Sequence, residues 1–349
     1  MAKEKKEEEK QLNLEDTIKS LTKIFGQGSI VNFKDDDRRT YDVIPTGSIK
    51  IDYQALGVGG FCKSKMYLLK GWEGSNKTTL CGHLAANCQK LGGKVVYLDG
   101  EHAVDITYLS NLGVSMDNNF ILVQPDNFEM GMEIALKLME TGEVSLLIID
   151  SDSSLLPKGM MESEVGTQTI GKKAKANSET YPKIKLATNK YNVLTVVSAQ
   201  YRTNPGQMFG DNRVIPGGAA LGYWSDCVIE LTKRLRKEGD ETSGTETTFK
   251  STKNKTYKPY QEVVFTTLFG VGIDKLDEIL QLGKEFELWK LRAGIVTYNE
   301  VKYKEDEFIQ MLLDNPEFYE EVKNKIIGLI QHPNAEEVLE EPKPLSNEQ

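Results

Sequence analysis

The chain reads as an α/β protein built on a mainly parallel sheet around a phosphate-binding loop. Three observations predict this. Gly71-Trp72-Glu73-Gly74-Ser75-Asn76-Lys77-Thr78 follows the pattern G-x-x-x-x-G-K-[ST] except that Asn76 replaces the second glycine. The apolar run Met66-Tyr67-Leu68-Leu69 precedes the loop, and Thr79 to Ala86 follows with helical spacing. Further along, short apolar runs alternate with helical segments, the pattern of strands buried on both faces of a parallel sheet.

The elements follow in order. Residues 1 to about 13 mix Lys and Glu and are expected to be disordered. Asp16-Thr17 opens a short amphipathic helix carrying Ile18, Leu21, Ile24 and Phe25, which Gly26-Gln27-Gly28 ends. Asp35 to Arg39 is a charged linker. Lys94–Asp99, Phe120–Val123, Leu146–Asp150 and Val193–Ser198 are buried strands. After Asp226 the texture turns hairpin-like, in Cys227–Leu231 and Val263–Thr266. A small C-terminal segment begins near residue 275 and includes a helix over 317–330. The expected division is 1–39, an N-terminal tail and helix; 40–275, the core; 276–335, a small α+β domain; and 336–349, an acidic tail.

Composition narrows the function. The 349 residues carry a net charge of −9, with 39% hydrophobic content that supports a real core. No apolar run approaches the roughly 18 residues of a spanning helix, and the first ten residues lack the apolar stretch of a signal peptide. Cytoplasmic location and no membrane partner are expected. Cys62, Cys81, Cys88 and Cys227 lack metal spacing and read as free thiols. Charge is unevenly spread: residues 171–185 hold five Lys and one Glu, and residues 336–349 hold five Glu and one Lys. The acidic end has two readings: it competes with nucleic-acid phosphates for basic surface, or it is a solvated tail with no partner.

The loop defines the chemistry. Backbone N–H groups of residues 71–79, Gly71 through Thr79, wrap phosphate oxygens at a helix start. Lys77 supplies a point charge and the Thr78 hydroxyl a ligand for Mg²⁺. Asn76 has two readings. If the glycine serves φ > 0, Asn is the least costly replacement and Asn76→Gly changes little. If it serves to avoid a collision with nucleotide, Asn weakens binding. The first is favoured. Asp150 ends a strand, as a Mg²⁺-holding aspartate does. Glu101 follows the strand ending at Asp99 and is placed to activate water. Gln200 ends the next strand, where it can sense a γ-phosphate. Strand ends of a parallel sheet face one crevice, so these residues are expected to converge. The following segment carries Arg202, Met208, Phe209, Gly210, Arg213, Gly217 and Gly218, a composition suited to single-stranded nucleic acid.

These pieces resemble, in order and spacing, the bacterial RecA recombinase family, over about residues 17–330. The likeness includes Ile24-Phe25-Gly26-Gln27-Gly28-Ser29-Ile30, Glu101-His102-Ala103, Met208-Phe209-Gly210, Pro216-Gly217-Gly218-Ala219-Ala220-Leu221 and Lys253-Asn254-Lys255. The resemblance implies a RecA-like ATPase core with an N-terminal docking helix and a small C-terminal domain. It implies ATP and Mg²⁺ as cofactors, single-stranded and homologous duplex DNA as partners, self-association into helical filaments, and strand exchange with DNA-stimulated ATP hydrolysis. Glu101 matches the catalytic glutamate and Gln200 the nucleotide-sensing glutamine. Asp105, Tyr108 and Phe269 match the base-binding region. Lys253 and Lys255 match two lysines that reach a neighbour's ATP. As positions i and i+2 of a strand they are expected to share one face. Residues 162–171 match the first DNA-binding loop, continued by Lys172, Lys173 and Lys175, and residues 201–217 match the second. Departures are Trp72, Asn76, Lys175, Gly222 and Phe269, and the C-terminal part is the least similar, as in a distant member. Two rivals are a closed-ring motor, and a DNA-binding filament protein in which Asn76 has abolished turnover.

Overall fold

Alternation within single strands organises the core of the computed structural model. In Lys94–Asp99, Val95 and Tyr97 enter one apolar cluster, while Val96 and Leu98 enter a second on the opposite face. A strand buried on both sides needs no polar face, so it reads as a continuous apolar run. The structure describes residues 13–26, 30, 41–164, 171–204, 206, 210–238 and 241–332. The charged linker 35–39, most of the tail 1–13, the acidic end 336–349, and Met208 and Phe209 lie outside the described residues.

Residues 1–41 and 42–349 form separate units. The first contains helix α1, Leu14–Phe25. It begins two residues earlier than the sequence suggests, because the Asn13 side chain accepts from Glu15 N and caps it. Leu14, Ile24 and Phe25 are exposed.

Within the second unit, the sheet strands are β1 Met66–Gly71, β2 Lys94–Asp99, β3 Phe120–Val123, β4 Val144–Asp150, β5 Leu194–Gln200, β6 Cys227–Glu238, β7 Glu241–Lys253, β8 Glu262–Leu268 and β9 Gly272–Ile273. Among the described residues they make one sheet in the order β9-β8-β7-β6-β1-β5-β4-β2-β3. Strands from β6 through β3 pair in parallel, and β6 to β9 pair antiparallel. The hairpin-like texture after Asp226 is therefore a continuation of the central sheet. Cys227, Ile229 and Leu231 are buried in its core, and that burial holds β6 beside β1.

Helix α2, Lys77–Lys90, packs Leu80, Cys81, Leu84 and Ala85 on one face. Helices α4, Phe128–Glu140, and α5, Lys172–Lys190, cover the other with Phe128, Met132, Tyr181 and Ile184; the short α3, Ile106–Asn111, precedes them. Beyond β9 come α6 Lys275–Glu285, a three-stranded antiparallel sheet over residues 289–304, α7 Glu305–Asp314 and α8 Pro316–Gln331. Their own cluster centres on Trp289, Tyr298, Phe308 and Ile326, matching the α+β expectation for this stretch. Among the described residues no helix is long and apolar enough to cross a membrane.

Candidate nucleotide site

The loop between β1 and α2 has a backbone that most side chains resist. Asn76 sits at φ 66°, ψ 22°, the left-handed region, immediately before the first helical residue. Asn tolerates this better than other non-glycine residues, so the first reading of the substitution fits the geometry. Gly71 is needed for another reason: a Cβ there would lie 2.5 Å from Leu231 O and 2.4 Å from Ser75 Oγ.

Lys77 is 6% exposed, and its Nζ donates to Trp72 O at 2.8 Å, Gly71 O at 3.2 Å and Ser75 Oγ at 3.3 Å. Burial pulls the ammonium below the ordinary lysine range, opposed by the charges of Asp150 and Glu101. Thr78 Oγ1 donates to Asp150 Oδ2 at 2.8 Å. Asp150 closes β4 and also accepts from Tyr97 OH at 2.7 Å and Ser198 Oγ at 2.6 Å. Three donors from three elements thus fix one carboxylate.

Glu101 rides on the loop after β2. Asp99 orders that loop by accepting from Glu101 N at 3.1 Å, Val104 N at 3.2 Å and Gln124 Nε2 at 3.0 Å. Glu101 Oε1 accepts from Gln200 Nε2 at 2.7 Å and Ser151 Oγ at 2.8 Å, while Gln200 N donates to Ser153 Oγ at 2.9 Å. Gly74, Ser75, Asn76, Lys77, Thr78, Thr79, Glu101, Asp150 and Gln200 line one solvent-open cleft. The expected convergence of strand ends is what the fold produces. Beside it, Tyr108 OH lies 2.7 Å from Thr79 Oγ1, and Asp105 caps α3 through Tyr108 N at 3.0 Å. Trp72 and Glu73 are exposed, Trp72 edge-on to Tyr201, and Phe269 is exposed just past β8.

Asp99, Ser151 and Ser153 carry no motif that singles them out in the sequence. The strand-terminal position of Asp99, parallel to that of Asp150, was the available signal.

Two groups of residues depart from their expected placement. Lys253 is the last residue of β7, so Lys255 lies past the strand and the shared-face argument does not apply. Lys253 Nζ donates to Gly222 O at 2.9 Å and Tyr223 O at 3.1 Å; Lys255 pairs with Asp226 at 3.4 Å. Neither lines the cleft. Burial would raise the Asp226 carboxyl, but Lys185, Met66 N and Lys255 together hold it below its usual value.

In the basic stretch, Lys173 points inward. Its side chain is 11% exposed, paired to fully buried Asp152 at 3.1 Å, bonded to Leu155 O at 2.7 Å, and over the Phe128 ring at 4.0 Å. Lys172 donates to Gly159 O and Ser163 Oγ, and exposed Lys175 faces Glu179. Arg202 is exposed. Arg213 is held by Asp211 and Glu230 and stacks over Tyr201 at 4.9 Å. Gly210, Gly217 and Gly218 all have positive φ. At Gly217 a Cβ would lie 2.2 Å from Asn177 Nδ2, so this segment closes on α5 only without a side chain.

The fold and cleft define a P-loop nucleotide-binding protein with its site at the carboxyl ends of parallel strands. The RecA N-terminal domain family matches residues 12–274. Protein RecA of Caldanaerobacter subterraneus subsp. tengcongensis is 36% identical over 321 residues, covering 91% of this chain and 93% of the relative. Protein RecA of Aquifex pyrophilus is 36% identical over 322 residues, covering 91% and 92%. Protein RecA of Porphyromonas gingivalis is 35% identical over 342 residues, covering 96% and 100%. The chain belongs to the RecA family. Its function is that of a RecA recombinase, DNA strand exchange.

Proposed function

We propose that the cleft binds Mg²⁺–ATP and hydrolyses it when the chain, assembled as a helical filament, holds single-stranded DNA. The observation that carries this is the meeting of Lys77, Thr78, Asp150, Glu101 and Gln200 around one opening. Loop amides and Lys77 hold the phosphates. The Thr78 hydroxyl and Asp150 carboxylate suit Mg²⁺, which takes one or two carboxylates and completes its shell with phosphate and water oxygens. When bound, the ion neutralises charge on the phosphates. Glu101 accepts the proton of the attacking water, oriented by Ser151 and Gln200. Gln200 links the cleft to the segment from Arg202 onward. Tyr108, Asp105 and Phe269 form the base-binding side.

In this reading Lys253 and Lys255 act on the nucleotide of a neighbouring protomer. Residues around 162–175 and 201–218 carry the DNA, with exposed Lys175 and Arg202 as direct cation contacts. Pairing between strands supplies sequence specificity, so the protein need not read base edges. A head-to-tail contact whose rotation does not close gives the filament. The test is a strand-exchange reaction between circular single strands and homologous linear duplex. Wild type should form joint molecules only with ATP and Mg²⁺, and Lys77→Ala should form none. Joint molecules formed equally well by Lys77→Ala would overturn the site assignment.

A further inference from the structure

The residue that breaks the loop pattern is itself bonded. Asn76 Nδ2 lies 2.7 Å from Thr247 Oγ1, 2.8 Å from Thr245 Oγ1 and 3.0 Å from Thr267 Oγ1, so its two N–H groups are shared among three hydroxyls. Thr245 and Thr247 lie two apart on β7, hence on one face, and Thr267 is directly opposite Thr245 on β8. All three are buried, and Thr245 and Thr267 also bond each other at 2.7 Å. The register of two antiparallel strands thus assembles a patch of three hydroxyls under the residue that precedes Lys77.

We propose that Asn76 is a positioning residue: its amide clamps the phosphate-binding loop to the Thr245–Thr247–Thr267 patch and fixes the left-handed turn that presents Lys77. This rests on reading the cleft as the nucleotide site. A glycine at position 76 would permit the same φ but leave the turn free, so ordering it would fall on the binding step. It would also leave the Thr247 hydroxyl without its side-chain partner. This differs from the sequence-based expectation that Asn76→Gly changes little, and the titration below decides between the two. The clamp acts on nucleotide affinity.

A double-mutant cycle tests this, using equilibrium titration with a fluorescent ADP analogue together with steady-state KM and kcat for ATP. Asn76→Gly and Thr247→Val are each expected to weaken nucleotide binding about fivefold, the factor set by one net hydrogen bond. Thr247→Val is expected to add nothing further in the Asn76→Gly background. Thr247→Ser keeps the hydroxyl and should keep the affinity. The proposal fails if Thr247→Val costs the same in both backgrounds, if it costs nothing beside Asn76, or if Thr247→Ser weakens binding as much as Thr247→Val. Thr245→Val provides a second cycle should Thr247→Val fold poorly. Lys77→Ala separates the two levels. If it loses nucleotide while the cycle is additive, the clamp alone is wrong; if it binds normally, the site itself is wrong.

Discussion

Gln200 Nε2 donates to Glu101 Oε1 across 2.7 Å, joining the end of β5 to the loop after β2. Ser151 Oγ donates to the same oxygen at 2.8 Å, so Glu101 is aimed by two donors from neighbouring strand ends. Arg202 and Thr203 follow Gln200 within three residues, which puts the candidate DNA segment on the same lever.

Glu101→Gln should lower DNA-stimulated kcat by roughly 10²–10⁴-fold, the range for loss of a positioned base, with nucleotide affinity little changed. Steady-state hydrolysis beside equilibrium titration checks both. Parallel loss of affinity and rate would assign Glu101 to binding.

Asp150→Ala should impair Mg²⁺-dependent nucleotide binding by on the order of 2 kcal/mol, as expected for a charge-assisted contact. It also strips the acceptor from Thr78, Tyr97 and Ser198. Calorimetric titration with and without Mg²⁺ distinguishes the two effects. A loss of equal size in both conditions would point to packing alone.

How far the sequence reached differs by residue. Lys77, Asp150, Glu101 and Gln200 could be placed from sequence because each stands at a strand end or a helix start, and parallel strands bring such ends together. The threonines under Asn76 could not. They lie 169, 171 and 191 residues away, and threonine is ordinary in strands. Lys173, one of five lysines in residues 171–185, is expected on the DNA side. Yet Lys173, Asn177 and Tyr181 stand at i, i+4 and i+8, one stripe of a helix, and that stripe faces Asp152. The place of Lys255 past the end of β7 is not legible from sequence, because that end depends on pairing that no local pattern reports.

Asp152→Ala should destabilise the fold by roughly 3–5 kcal/mol, since it leaves the Lys173 ammonium buried and unpaired. The pair Asp152→Leu with Lys173→Met should recover part of that loss. Urea unfolding measures both, and a single mutant as stable as wild type would contradict the buried ion pair.

His83 gives a pH dependence. Burial, helped by Lys275 and Lys90, holds its imidazole down to about 4 from 6.5, and Nε2 accepts from Ile273 N at 2.9 Å. The folded chain keeps His83 neutral while the unfolded chain takes up the proton. Its contribution is therefore full above pH 6.5, falls as pH drops, and is gone below about 4. Between those limits wild type should lose on the order of 3 kcal/mol more than His83→Gln, read from urea midpoints. Identical pH profiles would contradict the neutral buried state.

The trans role of Lys253 and Lys255 is checked by mixing. Lys253→Ala/Lys255→Ala and Lys77→Ala should each be inactive alone. In mixed filaments, a protomer with intact Lys77 can meet a neighbour's intact lysines, so part of the DNA-dependent hydrolysis should return. Mixed filaments as inactive as their parts would place both lysines outside the neighbouring site.

The proposed ATP turnover in this cleft responds to single-stranded DNA. The most direct measurement is the steady-state rate of phosphate release from Mg²⁺–ATP, with and without single-stranded DNA, for wild type and Lys77→Ala. A wild-type rate that rises on adding DNA and is abolished by Lys77→Ala is the predicted result. A wild-type rate that stays at background with DNA present, while filaments form, would contradict it.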